Sequence, residues 1–155
     1  MFAAMGSFTI AAIGADSPMT KKGSEFVSVK AAEIKWSDAP SVAPGAKIAV
    51  LEGDLKSSGP LTFRVKLPPN TKIGVHTHPL DERVTVLSGT FYFATGDKFD
   101  TGKAKAYKAG DALIIPTGTP MYGYTKNNQT VFQVHGTGPW GISFLEGSDA
   151  SKKKK

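Results

Sequence analysis

The chain has 155 residues, 40% of them hydrophobic, with 17 glycines and no cysteine, which is enough for one domain with a real core and too little for two. Its formal charge of +6 includes the four lysines Lys152 to Lys155, so the body carries only about +2 and lacks the basic face of a nucleic-acid-binding domain. The missing cysteine excludes disulfides, Cys-ligated zinc and thiol chemistry, leaving His, carboxylate, Met and Tyr for any metal or redox role.

In chain order, residues 2–15, "FAAMGSFTIAAIGA", are uncharged and run into a small residue before "DSPMTKK". This has the outline of an export-signal apolar region and cleavage site without the basic start. It is too short and too rich in Gly, Ser and Thr for a membrane span. Residues 1–23 are therefore expected to be an export-signal remnant or an N-terminal arm, which leaves a periplasmic or secreted location open beside a cytoplasmic one. Residues 25–36, "EFVSVKAAEIKW", alternate at first and are expected to begin the domain as a strand region. "SDAPSVAPGA" is a loop by its Pro, Ser and Gly content. Ten strand-like runs follow: "KIAVLEGD", "LTFRVKL", "KIGVHTH", "ERVTVLSG", "TFYFATG", "KAYKAG", "DALIIP", "MYGYTK", "TVFQVHG" and "GISFLE". Turn residues separate most of them, with Asn127-Asn128 expected at a hairpin. Many short strands at close spacing make the chain all-β, with a small double-sheet barrel as the architecture. The domain is expected over 24–147, followed by a solvated Lys-rich tail at 148–155.

The chemistry concentrates in "VHTHPLDE", residues 75–82. His76 and His78 are two apart in a strand-like run, so both point to one face. The Pro79-Leu80-Asp81 turn then places Glu82 at the start of the next strand beside them. Two imidazoles and a carboxylate form a facial set suited to Fe, Mn, Ni, Cu or Zn, with positions left open for substrate or dioxygen. Two histidines on an exposed strand with a solvated Glu is the plainer alternative. Gln133 and His135 share a face of a late strand, as expected of a wet cavity or of an edge strand's solvent side. Tyr122 and Tyr124 share one face of their strand and are expected outside, with Met121 pointing in. Phe91 and Phe93, or Tyr92, are candidates for an apolar pocket wall. "GTGPWG" at 136–141 lacks the features of a phosphate cradle and reads as a bend that packs Trp140 inside the turn.

The run from Asn70 to Gly89 resembles the first signature of the cupin superfamily, with His76, His78, Glu82 and Gly89 at its positions and Asn70 in place of its first glycine. Gly110, Pro116 and Gly118 match the second signature, in which Met121 stands where a histidine is expected. The resemblance spans residues 45–146 and is similar to small single-domain bacterial cupins. It implies a double-stranded β-helix, or jelly-roll barrel, holding one divalent transition metal through His76, His78 and Glu82. Water, His135 or Met121 is then left to complete the ligand set. It further implies a metalloenzyme of the oxygenase or oxidase type, a dioxygenase-like oxidoreductase acting on a small organic molecule. Tyr122, Gln133 and His135 would be its proton-transfer or orienting groups. The alternative is a non-catalytic cupin that binds a small ligand or senses a metal. The resemblance also implies a homodimer; no nucleic-acid or membrane partner is expected.

Overall fold

The computed structural model describes residues 26–145; the expected arm at 1–23 and tail at 148–155 lie outside them. Eleven strands are present: β1 (Ser37–Asp38), β2 (Lys47–Glu52), β3 (Gly59–Leu67), β4 (Lys72–Thr77), β5 (Glu82–Ser88), β6 (Thr90–Thr95), β7 (Lys105–Lys108), β8 (Ala112–Ile115), β9 (Met121–Tyr124), β10 (Thr130–Gly138) and β11 (Ser143–Phe144). They form a six-stranded antiparallel sheet, β1-β2-β3-β10-β5-β8, and a five-stranded one, β11-β4-β9-β6-β7. The ten runs read as strands correspond to β2 through β11, with the last trimmed to two residues.

The expected strand over 25–36 is corrected. Its described part holds a 3-10 turn at Ala31–Glu33 and no strand, and the sheet starts only at Ser37. The early alternation encodes no buried face, since Phe26 and Val27 are 90% and 59% exposed. The Ala-Ala-Glu that follows favours helical geometry over a pleat.

The chain changes sheet at most connections, the jelly-roll pattern, and among the described strands only β1–β2, β2–β3 and β6–β7 are consecutive strands that pair with each other. Asn127-Asn128 is therefore no hairpin turn: it links β9 in one sheet to β10 in the other. Left-handed geometry appears where the turn residues lead one to expect it. Asn70 has φ of 54°, which its short amide side chain tolerates. Gly89 has φ of 76° and packs so closely that a Cβ there would meet the Gln129 carbonyl oxygen at 2.3 Å.

The core lies between the sheets. Phe63 and Val65 of β3, Val84 and Val86 of β5 and Phe132 and Val134 of β10 come from one side; Ile73, Phe91, Phe93 and Met121 come from the other. Alternation along each strand sets this division, as in β3, where every second residue from Leu61 to Leu67 is buried. Gly123 lets the Phe91 ring lie directly on the β9 backbone, where a Cβ would fall 2.3 Å from the ring tip. A second cluster of Val75, Ala94 and Tyr122 forms on the outer face of the five-stranded sheet, beneath Phe99 and Ala104.

Candidate metal centre

A local irregularity of β4 aims the histidines. Ile73 belongs to the inter-sheet core, whereas Val75, two residues on, belongs to the outer cluster. The ladder with β9 shifts register between Ile73 and His76, and this bulge returns His76 to the interior. The turn at 79–81 then carries the chain across to the other sheet, so Glu82 opens β5 there. The carboxylate thus faces the histidines from the opposite wall instead of neighbouring them along one sheet.

All three side chains are buried, at 5–7% exposure, and line one cavity of about 340 Å³. The imidazole of His76 contacts the Gly74 carbonyl through Nδ1 at 2.7 Å, and that of His78 contacts the Gly141 carbonyl at 2.5 Å. A carbonyl only accepts, so each Nδ1 carries the proton and each Nε2 keeps a lone pair, the state a metal ligand needs. The two rings meet edge to face, 4.9 Å between centroids. Trp140 stacks on His78 at 4.4 Å and Phe144 tilts over His76 at 5.7 Å.

Burial governs the charges. It pushes His76 down to about 4, against a smaller upward pull from the Gly74 hydrogen bond, and lowers His78 in the same way. It raises Glu82 to about 8. His78 Nε2 lies 3.8 Å from Glu82 Oε2, a spacing that would count as an ion pair if both groups were charged. With the imidazole shifted down and the carboxyl shifted up, it is a contact between neutral groups at pH 7, too long for a hydrogen bond.

Among the described residues, no three His, Asp or Glu side chains are close enough together to hold an ion as placed. The donor chemistry nevertheless fits a divalent transition metal: two neutral imidazoles with anchored Nδ1–H groups and a buried carboxyl group on one cavity. Binding requires these side chains to draw together. Met121 is 1% exposed, pairs with His76 across the β4–β9 ladder and shares a small void with His76 and Glu82.

The remaining sequence candidates are placed elsewhere. His135 is exposed on the outer face of its sheet, and Gln133 on the same face accepts a hydrogen bond from Arg64 Nε at 3.1 Å. In β10 it is Phe132 and Val134 that point inward, so neither Gln133 nor His135 reaches the cavity and His135 cannot complete the ligand set. Tyr122 is fully buried rather than exposed, but in the outer cluster, where its hydroxyl donates to the Asp100 carbonyl at 2.8 Å and its ring packs on Phe99. Tyr124, likewise buried rather than exposed, stacks on Tyr92 and packs on Phe99, while Phe91 and Phe93 border the small void with Met121. Trp140, expected inside its turn, does pack inward, against Phe63 as well as His78. Its ring contact and the Gly141 carbonyl are parts of the site that the sequence did not disclose.

The fold and this paired-histidine wall define the class. Residues 63–131 match the family model described as a cupin domain, which together with the jelly-roll fold supports a cupin-superfamily domain. No curated protein matches it. Among solved structures it is similar to the polyketide cyclase RemF from Streptomyces resistomycificus, at 20% identity over 81% of this chain and 91% of that one, with a TM-score of 0.64. It is also similar to an RmlC-like cupin from Shewanella frigidimarina, at 16% identity over 80% and 95%, with a TM-score of 0.55. KdgF from Halomonas sp. matches at 18% identity over 73% and 93%, with a TM-score of 0.53. At these identities the likeness establishes the fold.

Proposed function

We propose that this cupin holds one divalent transition metal through His76 Nε2, His78 Nε2 and Glu82, and acts as an oxygenase- or oxidase-type enzyme on a small organic molecule in the cavity. The observation that carries the reading is the pair of Nδ1-anchored imidazoles, whose lone pairs are left for an ion on the same cavity as a buried carboxyl group. A bound ion would supply Lewis-acid polarisation of a substrate oxygen or activation of dioxygen. The chain's own residues orient and enclose. The Gly74 and Gly141 carbonyls fix the tautomers, Glu82 gives up its proton on ligation, and the apolar walls exclude water.

Met121 favours a second reading, a non-catalytic cupin that binds a small ligand or senses a metal. A thioether stands where the family resemblance leads one to expect an imidazole, and a three-donor set holds hard cations less firmly. A homodimer belongs to the proposal as well, since an open sheet edge invites a partner strand.

Elemental analysis of untagged protein beside His76→Ala tests the site. About one ion per chain is expected in the wild type, and none in the variant; a wild type that stays metal-free after reconstitution overturns the proposal. Met121→His is expected to tighten metal binding by about tenfold or more. Dioxygen uptake with candidate diols, phenols and thiols then separates the enzyme from the binding protein.

A further inference from the structure

The cavity's walls and its floor differ sharply in character. The walls are built from Val42, Ile48, Leu55, Phe63, Val65 and Trp140, and the floor carries His76, His78 and Glu82. Among the described lining residues there is no lysine or arginine. The one other charged side chain is Asp38 near the entrance, whose carboxylate is held by Lys47 Nζ at 2.6 Å. At about 340 Å³ the space lies at the small end of pockets that enclose organic ligands.

From this we infer that the cavity selects an uncharged, mainly apolar molecule packed against Trp140, in preference to a carboxylate, a phosphate or a sugar. The inference deepens the proposed function and rests on it for which end of the molecule meets the reactive floor. In the metal-free cavity an anion would exchange water for apolar walls with no protein cation to pair it and with carboxyl groups at both ends of the cavity. A sugar would bury several hydroxyls in a mainly apolar cavity where only Ser41, the Trp140 indole and the few polar groups at either end offer hydrogen-bond partners. An apolar body loses nothing on entering, and one oxygen function suffices to address the His and Glu floor.

Trp140 is the wall residue built for this role. It is half-buried, its ring is fixed against Phe63 at 5.4 Å and His78 at 4.4 Å, and its backbone N–H donates to the Leu55 carbonyl at 2.6 Å. The indole is thus tied to the cavity wall on one side and to a floor residue on the other. It offers a rigid apolar surface at little entropic cost.

Calorimetric titration with 2-naphthol and 2-naphthoate tests the inference, because the two probes share their rings and differ in charge. The metal-free wild type is expected to bind 2-naphthol saturably and about tenfold or more tighter than 2-naphthoate. Trp140→Ala is expected to weaken 2-naphthol by a similar factor. Leu55→Lys, at a half-buried wall position that a lysine stem can occupy, is expected to shift the preference toward 2-naphthoate. It decides the matter even if Trp140→Ala fails to fold. Equal or reversed preference in the metal-free wild type, or no saturable binding of 2-naphthol, overturns the inference. Zinc titration of the same sample reads the metal site separately: zinc stoichiometry that fails while 2-naphthol is preferred removes the metal reading and leaves the ligand class standing.

Discussion

Burial gives Glu82 and the two histidines opposite responses to pH. Glu82 titrates near 8 in the fold against an ordinary 4.5, so between those values the folded state keeps a proton that the unfolded chain has lost, and stability falls as pH rises. His76 titrates near 4 in the fold against 6.5. Between those values the unfolded chain binds a proton that the folded state refuses, and stability rises with pH; His78 shifts in the same direction. From pH 4.5 to 6.5 the imidazoles and the carboxyl group pull in opposite directions, and above that range the Glu82 response dominates. The metal-free protein should therefore lose about 1 kcal/mol of stability between pH 6.5 and 8. Thermal melts across this range check it, with Glu82→Gln expected to remove the decline. A level profile from pH 6.5 to 8 would show that the carboxyl group is not held neutral.

At the scale of the element, β4 and β9 show how backbone detail serves the site. Gly123 of β9 admits the Phe91 ring onto the sheet, and Phe91 with Met121 closes the void beside His76 and Glu82. Gly123→Ala forces that ring aside, with an expected cost of about 1–3 kcal/mol, measurable as a lower Tm; an unchanged Tm would mean that the ring moves freely. The strands themselves were legible because short alternating runs broken by Gly, Pro and Asn leave little choice of element. His76, His78 and Glu82 were legible because their spacing survives any assignment of sheets. What periodicity cannot give is absolute direction. Gln133 and His135 do share a face, but Phe132 and Val134 claim the interior. Tyr122 does oppose Met121, but Phe99, distant in sequence, covers that outer face. The β4 bulge has no signal beyond Gly74, and the Trp140 contact with His78 bridges too many residues for local pattern to show it.

For the whole molecule, β8 ends the six-stranded sheet and carries Ile114 at 75% exposure. A large apolar side chain on an open edge suits pairing with a second copy. Sedimentation should accordingly find a dimer in the wild type and a monomer in Ile114→Lys; a wild-type monomer would dismiss self-association through this edge. The repeated passage of the chain between sheets also has a kinetic meaning. Glu82 faces the histidines only after both sheets have docked, and the carbonyl that fixes His78 belongs to Gly141, 63 residues further along. Contacts so distant in sequence form late and slowly. A nascent chain still lacking Gly141 leaves the His78 ring without the carbonyl that fixes its tautomer, so the proposed metal site is complete only once nearly the entire domain has been made. Under the proposed function, metal binding would report a completed fold rather than nucleate it.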